Sequence, residues 1–206
     1  MITNVDLRSM HRIAVLASVD VVSAVTTDDL SRPTPCAGWN LADLLAHMTV
    51  QHRGFAAAAG GRGADQAVWD PATVADAVAA DPAGTYAAAA DAVLEAFAGP
   101  DVLNAGFALP ELAPEGTFPG SMAIGFHLVD YVVHTWDVAR TMGHSVDLPA
   151  EVVTGALPLA CAVPDGDFRA GADAFFGPAV QQTEQVDDLD RILAYLGRSP
   201  EWAPAR

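Results

Sequence analysis

The sequence predicts an all-α protein, a four-helix bundle followed by a small C-terminal extension. Three observations carry this. Apolar residues recur at three- and four-residue spacing in four long stretches. Alanine supplies much of the 51% apolar content, and β-branched runs are few, which favours helix over sheet. Clusters of Pro and Gly separate the stretches. The 206 residues suffice for one domain with a sizeable core, expected as a bundle over about 5–145 and an extension over about 146–206.

The first helix is expected from about Asp6 to Val25, where Met10, Ile13, Leu16, Ala17, Val21 and Ala24 trace one face. Two prolines and a glycine between Ser31 and Asn40 make an irregular connection. Asn40 is a natural N-cap, with Asp43 three residues on, for a second helix from Leu41 to about Ala58. The segment from Gly60 to Asp65 reads as a loop, and Pro71 to Ala80 as a short helix opened by proline. A third long helix, Ala83 to Ala98, is stopped by Gly99-Pro100. Its many alanines would let another helix approach closely, in a homodimer for example. From Asp101 to Pro119 the chain reads as a loop with a short extended piece around Ala105–Leu109. The fourth long helix runs from near Gly120 to near Gly143, and a further one from Pro149 to Cys161. Pro164 to Val186 is mixed, with a turn at Phe175-Phe176-Gly177-Pro178. A terminal helix from Asp187 to Gly197 has an acidic start and a glycine stop.

A net charge of −16 repels phosphate backbones and anionic bilayers, which argues against nucleic-acid and membrane partners. No apolar run reaches the length of a membrane span, and the segment Met1 to Asp6 carries no secretion signal, so a cytoplasmic location is expected. Cys36 and Cys161 are too few for a disulfide scaffold or a zinc knuckle, and read as reduced thiols. Any metal must therefore rely on histidine and carboxylate.

Within the fourth long helix, His127, Asp130, His134 and Asp137 lie three, four and three residues apart. At about 100° per residue they span an arc of roughly 80°. The Asp130–His134 pair has the spacing by which a helix offers two ligands to one ion. His47, mid-helix among Leu44, Leu45 and Met48, is the candidate third ligand. Two imidazoles and one carboxylate suit a divalent first-row ion, with positions left for water or a thiol. On spacing alone, an ordinary hydrogen-bonded pair explains Asp130 and His134 equally well. His52, five residues from His47, is expected to point away onto the surface, and His144 to be solvated. His11, beside the apolar face of the first helix, is set aside. Asp137 is expected to cap a loop or pair with Arg140. Trp39 and Trp136 are read as packing residues and Cys36 as a small buried filler.

A resemblance adds to this. Pro35-Cys36-Ala37-Gly38-Trp39-Asn40-Leu41-Ala42-Asp43-Leu44-Leu45-Ala46-His47-Met48 is similar to one signature of the mycothiol-dependent maleylpyruvate isomerase N-terminal family. That family belongs to the DinB-like metal-binding helical bundles. The segment from Gly125 to Ala139 resembles its second signature, a carboxylate-x-x-x-His followed by Trp-Asp. The likeness extends to the Phe-Gly-Pro turn and the closing Leu196-Gly197-Arg198-Ser199-Pro200, and is nearest to short members that lack the isomerase's separate C-terminal domain. It implies metal ligands at His47, Asp130 and His134, with Asp130 standing where the isomerase has Glu.

The implied function is a metal-dependent, mycothiol-type thiol transferase or isomerase. It would act on a small electrophile through a thiolate that the metal stabilises. Zinc is the default ion, with nickel, iron or manganese as alternatives. Mycothiol is the implied cosubstrate; His127 is a candidate pocket residue or proton donor, with a buried supporting role as its other reading, and Gln51, one turn after His47, is a candidate contact on the open coordination side or else a polar contact within the bundle. A non-catalytic metal-binding bundle with a stress or regulatory role, and a metal-assisted hydrolase, are the other readings of the same ligands.

Overall fold

The structure is a computed structural model that describes residues 6–171, 176–181 and 186–204. Seven α-helices are present among the described residues: α1 (Arg8–Val22), α2 (Leu41–Ala59), α3 (Ala72–Ala80), α4 (Pro82–Phe97), α5 (Gly120–Thr141), α6 (Ala150–Ala160) and α7 (Asp188–Tyr195). The four long ones form the bundle: α2 lies along α4, α1 lies along α5, and α1–α4 and α2–α5 contacts close it. The short α3 packs on α2 and α4, while α6 and α7 pack on each other, with α6 against α5. All-α architecture and all seven helices agree with the sequence, with ends within a few residues.

The helix ends have local causes. Asn40 accepts from the Asp43 amide at 3.0 Å, and Asp43 accepts from the Asn40 amide at 3.1 Å. This reciprocal cap starts α2. Asp81 caps α4, whose first residue is Pro82, and Asp187 caps α7. Gly143, at φ +77°, ends α5 in the left-handed conformation that glycine adopts at least cost. Gly120 opens α5 where a Cβ would lie 1.8 Å from the Val102 carbonyl oxygen, so only glycine lets the helix start there.

The expected extended piece is half of an antiparallel hairpin, β1 (Gly106–Ala108) with β2 (Thr117–Pro119), paired Phe107 to Phe118. Three-residue strands have no alternating pattern long enough to read, and so β2 escaped the sequence. The turn expected at Phe175 lies partly outside the described residues.

Leu41, Leu44, Leu45 and Met48 on α2 are all fully buried. Each such side chain contributes about 1.5–3 kcal/mol of burial energy. On α4, Ala89 and Ala90 are likewise buried within the chain, so part of its small-residue face is already used. The Tyr131 hydroxyl donates to the Met48 carbonyl. That tie sits one residue from His47 on α2 and one from Asp130 on α5, and it fixes the relative register of the two helices.

Candidate metal centre

The α2–α5 register brings His47, Asp130 and His134 together, with one ligand atom from each lying within 4.8 Å of the others. His134 Nε2 is 3.3 Å from Asp130 Oδ1, and His47 Nε2 is 4.0 Å from Asp130 Oδ2. A tetrahedral ion with bonds of ~2.0–2.1 Å sets its ligand atoms roughly 3.3 Å apart. The donor set and spacing therefore fit a divalent ion. The His134 side chain is 5% exposed, whereas His47 and Asp130 are 23% and 21% exposed, so the group opens to solvent on the His47–Asp130 side.

Behind His134 stands a second layer. Its Nδ1 is 2.8 Å from Asp137 Oδ2. The same oxygen accepts from the Cys36 thiol at 3.2 Å and from Arg198 Nη2 at 3.2 Å. Asp137 is completely buried. Its partner is Arg198, after α7, and not Arg140, which instead donates to the Pro200 and Trp202 carbonyls. Cys36 is buried as expected. It is held by a loop that Thr34 braces through the Trp39 carbonyl at 2.9 Å. Trp39 itself is 38% exposed, with its ring 5.0 Å from that of His47, so it lines the mouth and is not a core residue.

The charges follow from this packing. Burial pushes the Asp130 carboxyl up, but the imidazoles of His134 and His47 and the Arg198 guanidinium outweigh it and bring the group to about 2. Burial lowers His47 to about 4 against the pull of Asp130. Burial also works against charge on His134, yet Asp130, Asp137 and Cys36 together hold its pKa well above the usual value. Burial raises Asp137, while Arg198 and His134 bring it below the usual carboxylate range. Near neutral pH, Asp130 is ionised and His47 is neutral, the states that bind a metal.

His127 takes the buried position that was one of its readings, whereas His52 does not lie where the sequence placed it. His52 is fully buried, which corrects the expectation of a surface residue. It stacks on Tyr131 at 4.1 Å. His127 is also fully buried, with Nδ1 2.8 Å from His11 Nε2 and its ring among Phe55, Phe97 and Tyr131. Thus His11, His52 and His127 form a cluster in the bundle interior, one turn along from the ligand layer. Gln51 is buried on α2, 8% exposed, one turn after His47. Glu111, in the loop between β1 and β2, has its carboxyl raised, by desolvation first and by the charge of Asp130 last, against the pull of Gln51. Sequence reasoning missed Arg198, at which only the closing Leu-Gly-Arg-Ser-Pro motif pointed. A separate shallow groove of about 640 Å³, lined by Arg53, Arg62 and Glu95 among others, holds none of these groups. Among the described residues, no helix is long and apolar enough to cross a membrane.

Comparisons with known proteins bear on the family and the fold. Two Mycobacterium tuberculosis proteins, Uncharacterized protein Rv0738 of strain H37Rv and Uncharacterized protein MT0763 of strain CDC 1551, are each 32% identical over 189 residues, covering 92% of this chain and 96% of theirs. The crystal structure of the mycothiol-dependent maleylpyruvate isomerase superimposes with a TM-score of 0.56 at 14% identity, over 77% of this chain and 68% of that one, and so shares the fold. The sequence model of the mycothiol maleylpyruvate isomerase N-terminal domain matches residues 11–139, which run from the buried His11 to near the end of α5, and the chain belongs to that family.

Proposed function

We propose that the chain is a metal-dependent thiol enzyme of the mycothiol type, which transfers or adds a low-molecular-weight thiol to a small electrophile. One observation carries the reading: two imidazoles and one carboxylate converge where the bundle opens to solvent, a group of three among the described residues. Family membership supports it. A divalent ion held by three protein ligands leaves a position for a thiol sulfur and lowers the thiol's pKa toward neutrality. The chain's own residues do the rest. Asp137 orients the His134 ring so that Nε2 faces Asp130. Trp39 gives the mouth an apolar wall. His127 is bonded to His11 inside the core, so it is not assigned a proton-transfer role.

The test is spectroscopic. Cobalt-substituted protein titrated with mycothiol is expected to develop a sulfur-to-metal charge-transfer band, lost on adding chelator. No band at millimolar thiol would exclude the thiol reading. Turnover of activated esters by the metal-loaded protein without thiol would point to hydrolysis instead.

A further inference from the structure

His134 sits between two groups that each have the makings of a cation site. In front are His47 and Asp130. Behind are Cys36 and Asp137, whose Sγ and carboxylate oxygen lie, with a His134 nitrogen, within 4.8 Å of one another. The rear group already contains a cation. Arg198 Nη2 lies 3.2 Å from Asp137 Oδ2 and 3.4 Å from Cys36 Sγ. The guanidinium is 8% exposed and stands 5.7 Å over the Phe176 ring, while Nη1 donates to the Leu196 carbonyl at 3.0 Å.

We propose that Arg198 is a positioning residue that acts as a built-in cation: it occupies the rear group, keeps metal out of it, and directs the ion to the front face of His134. The inference rests on the ligand assignment made above, but it needs no thiol. Two arguments lead to it. A guanidinium can only donate hydrogen bonds, so Asp137 Oδ2 is pinned as an acceptor, and the His134 Nδ1 facing it at 2.8 Å must donate. Nε2 is then the nitrogen left for the ion, and it points at Asp130. Second, without Arg198 the rear group would be a buried thiol, an imidazole and a carboxylate. That set suits zinc or cobalt at least as well as the front one. The residue comes from beyond the segment 11–139 that defines the family domain. The closing segment, and not the domain alone, therefore decides which side of His134 is used.

The test uses cobalt and the full chain, with no added thiol. Wild-type protein is expected to bind one ion without a sulfur-to-metal band. Arg198→Met and Arg198→Gln are expected to show such a band, from Cys36, together with a front-site affinity at least about tenfold weaker. The band should vanish in Arg198→Met/Cys36→Ser, and Arg198→Lys, which keeps a cation there, should resemble wild type. Arg198 variants that bind cobalt with wild-type affinity and no sulfur band would overturn the proposal. Should both neutral variants fail to fold, the zinc-loaded wild type decides: its His134 N–H proton, located by nitrogen-15 NMR, must lie on Nδ1, and finding it on Nε2 overturns the proposal. A wild type that takes up no ion overturns the ligand assignment as well. An ion in front with unaltered Arg198 variants overturns this inference alone.

Discussion

Replacing His47 with alanine is expected to strip the protein of its divalent ion, from about one ion per chain to near zero after desalting. His134→Ala should do the same. A full set of zinc ligands is worth about 10–16 kcal/mol in apparent affinity, so losing one ligand of three weakens binding at least about a hundredfold. The two variants should differ in stability. His47 is partly exposed, and its removal leaves Asp130 near solvent. His134 lies between Asp130 and the fully buried Asp137, and its removal leaves a buried carboxylate with Arg198 and Cys36 as its remaining partners. His47→Ala should therefore fold normally and lose metal, while His134→Ala loses metal and melts at lower temperature. The control is His144→Ala, since His144 is exposed beyond the end of α5. His52 cannot serve, because it is part of the core. Metal analysis of the purified variants checks this. A full complement of metal in His47→Ala would remove that residue from the site.

Steep acid unfolding is the second large effect expected. Burial lowers His11 to about 3 and holds His52 and His127 well below the usual value. All three are neutral in the fold and take up protons when it unfolds. The stability they contribute is fully present above the unfolded-state pKa of about 6.5, and is lost as pH falls below it toward the folded-state values. Each one that stays neutral in the fold costs up to about 1.4 kcal/mol per pH unit below about 6.5. A domain of this size has about 5–15 kcal/mol in all. In the metal-free protein His47 acts in the same sense. Asp130 and Asp137 enter only below about pH 4, where their protonation adds to the loss. The opposite sign belongs to His134, whose contribution is complete below about 6.5 and fades only as pH rises through its raised folded value. Circular dichroism should show unfolding in the range of about pH 4–5. His52→Phe, which keeps a flat ring against Tyr131, should move the midpoint to lower pH and remove one proton from the slope. A transition with the same proton uptake in His52→Phe would contradict the assignment.

How far the sequence disclosed this molecule depends on how local each feature is. The reciprocal Asn40–Asp43 cap, the Gly143 stop and the Asp187 start are written within a few residues, and the helix ends follow from them. The Asp130–His134 pair is fixed by helix geometry alone. The placement of His47 against it depends on packing between helices; its mid-helix position among Leu44, Leu45 and Met48 made it the candidate, and the resemblance favoured it. The error over His52 is instructive. Five residues from His47, it does turn away from the ligand group, as helical geometry requires. But α2 is packed against α3, α4 and α5, so the far side of the ligand face is the core and not the solvent. Arg198 was out of reach for a different reason. It meets Asp137 across 61 residues of chain, and no periodicity links them.

X-ray absorption at the edge of the bound metal, with and without mycothiol, reads the ligands of the ion directly. The expected first shell is nitrogen and oxygen at about 2.0–2.2 Å in the protein alone, with one sulfur added at about 2.3 Å when the thiol binds. A sulfur in the first shell before thiol is added would place the ion in the rear group with Cys36. A shell unchanged by saturating thiol would show that the open position is not a thiol site.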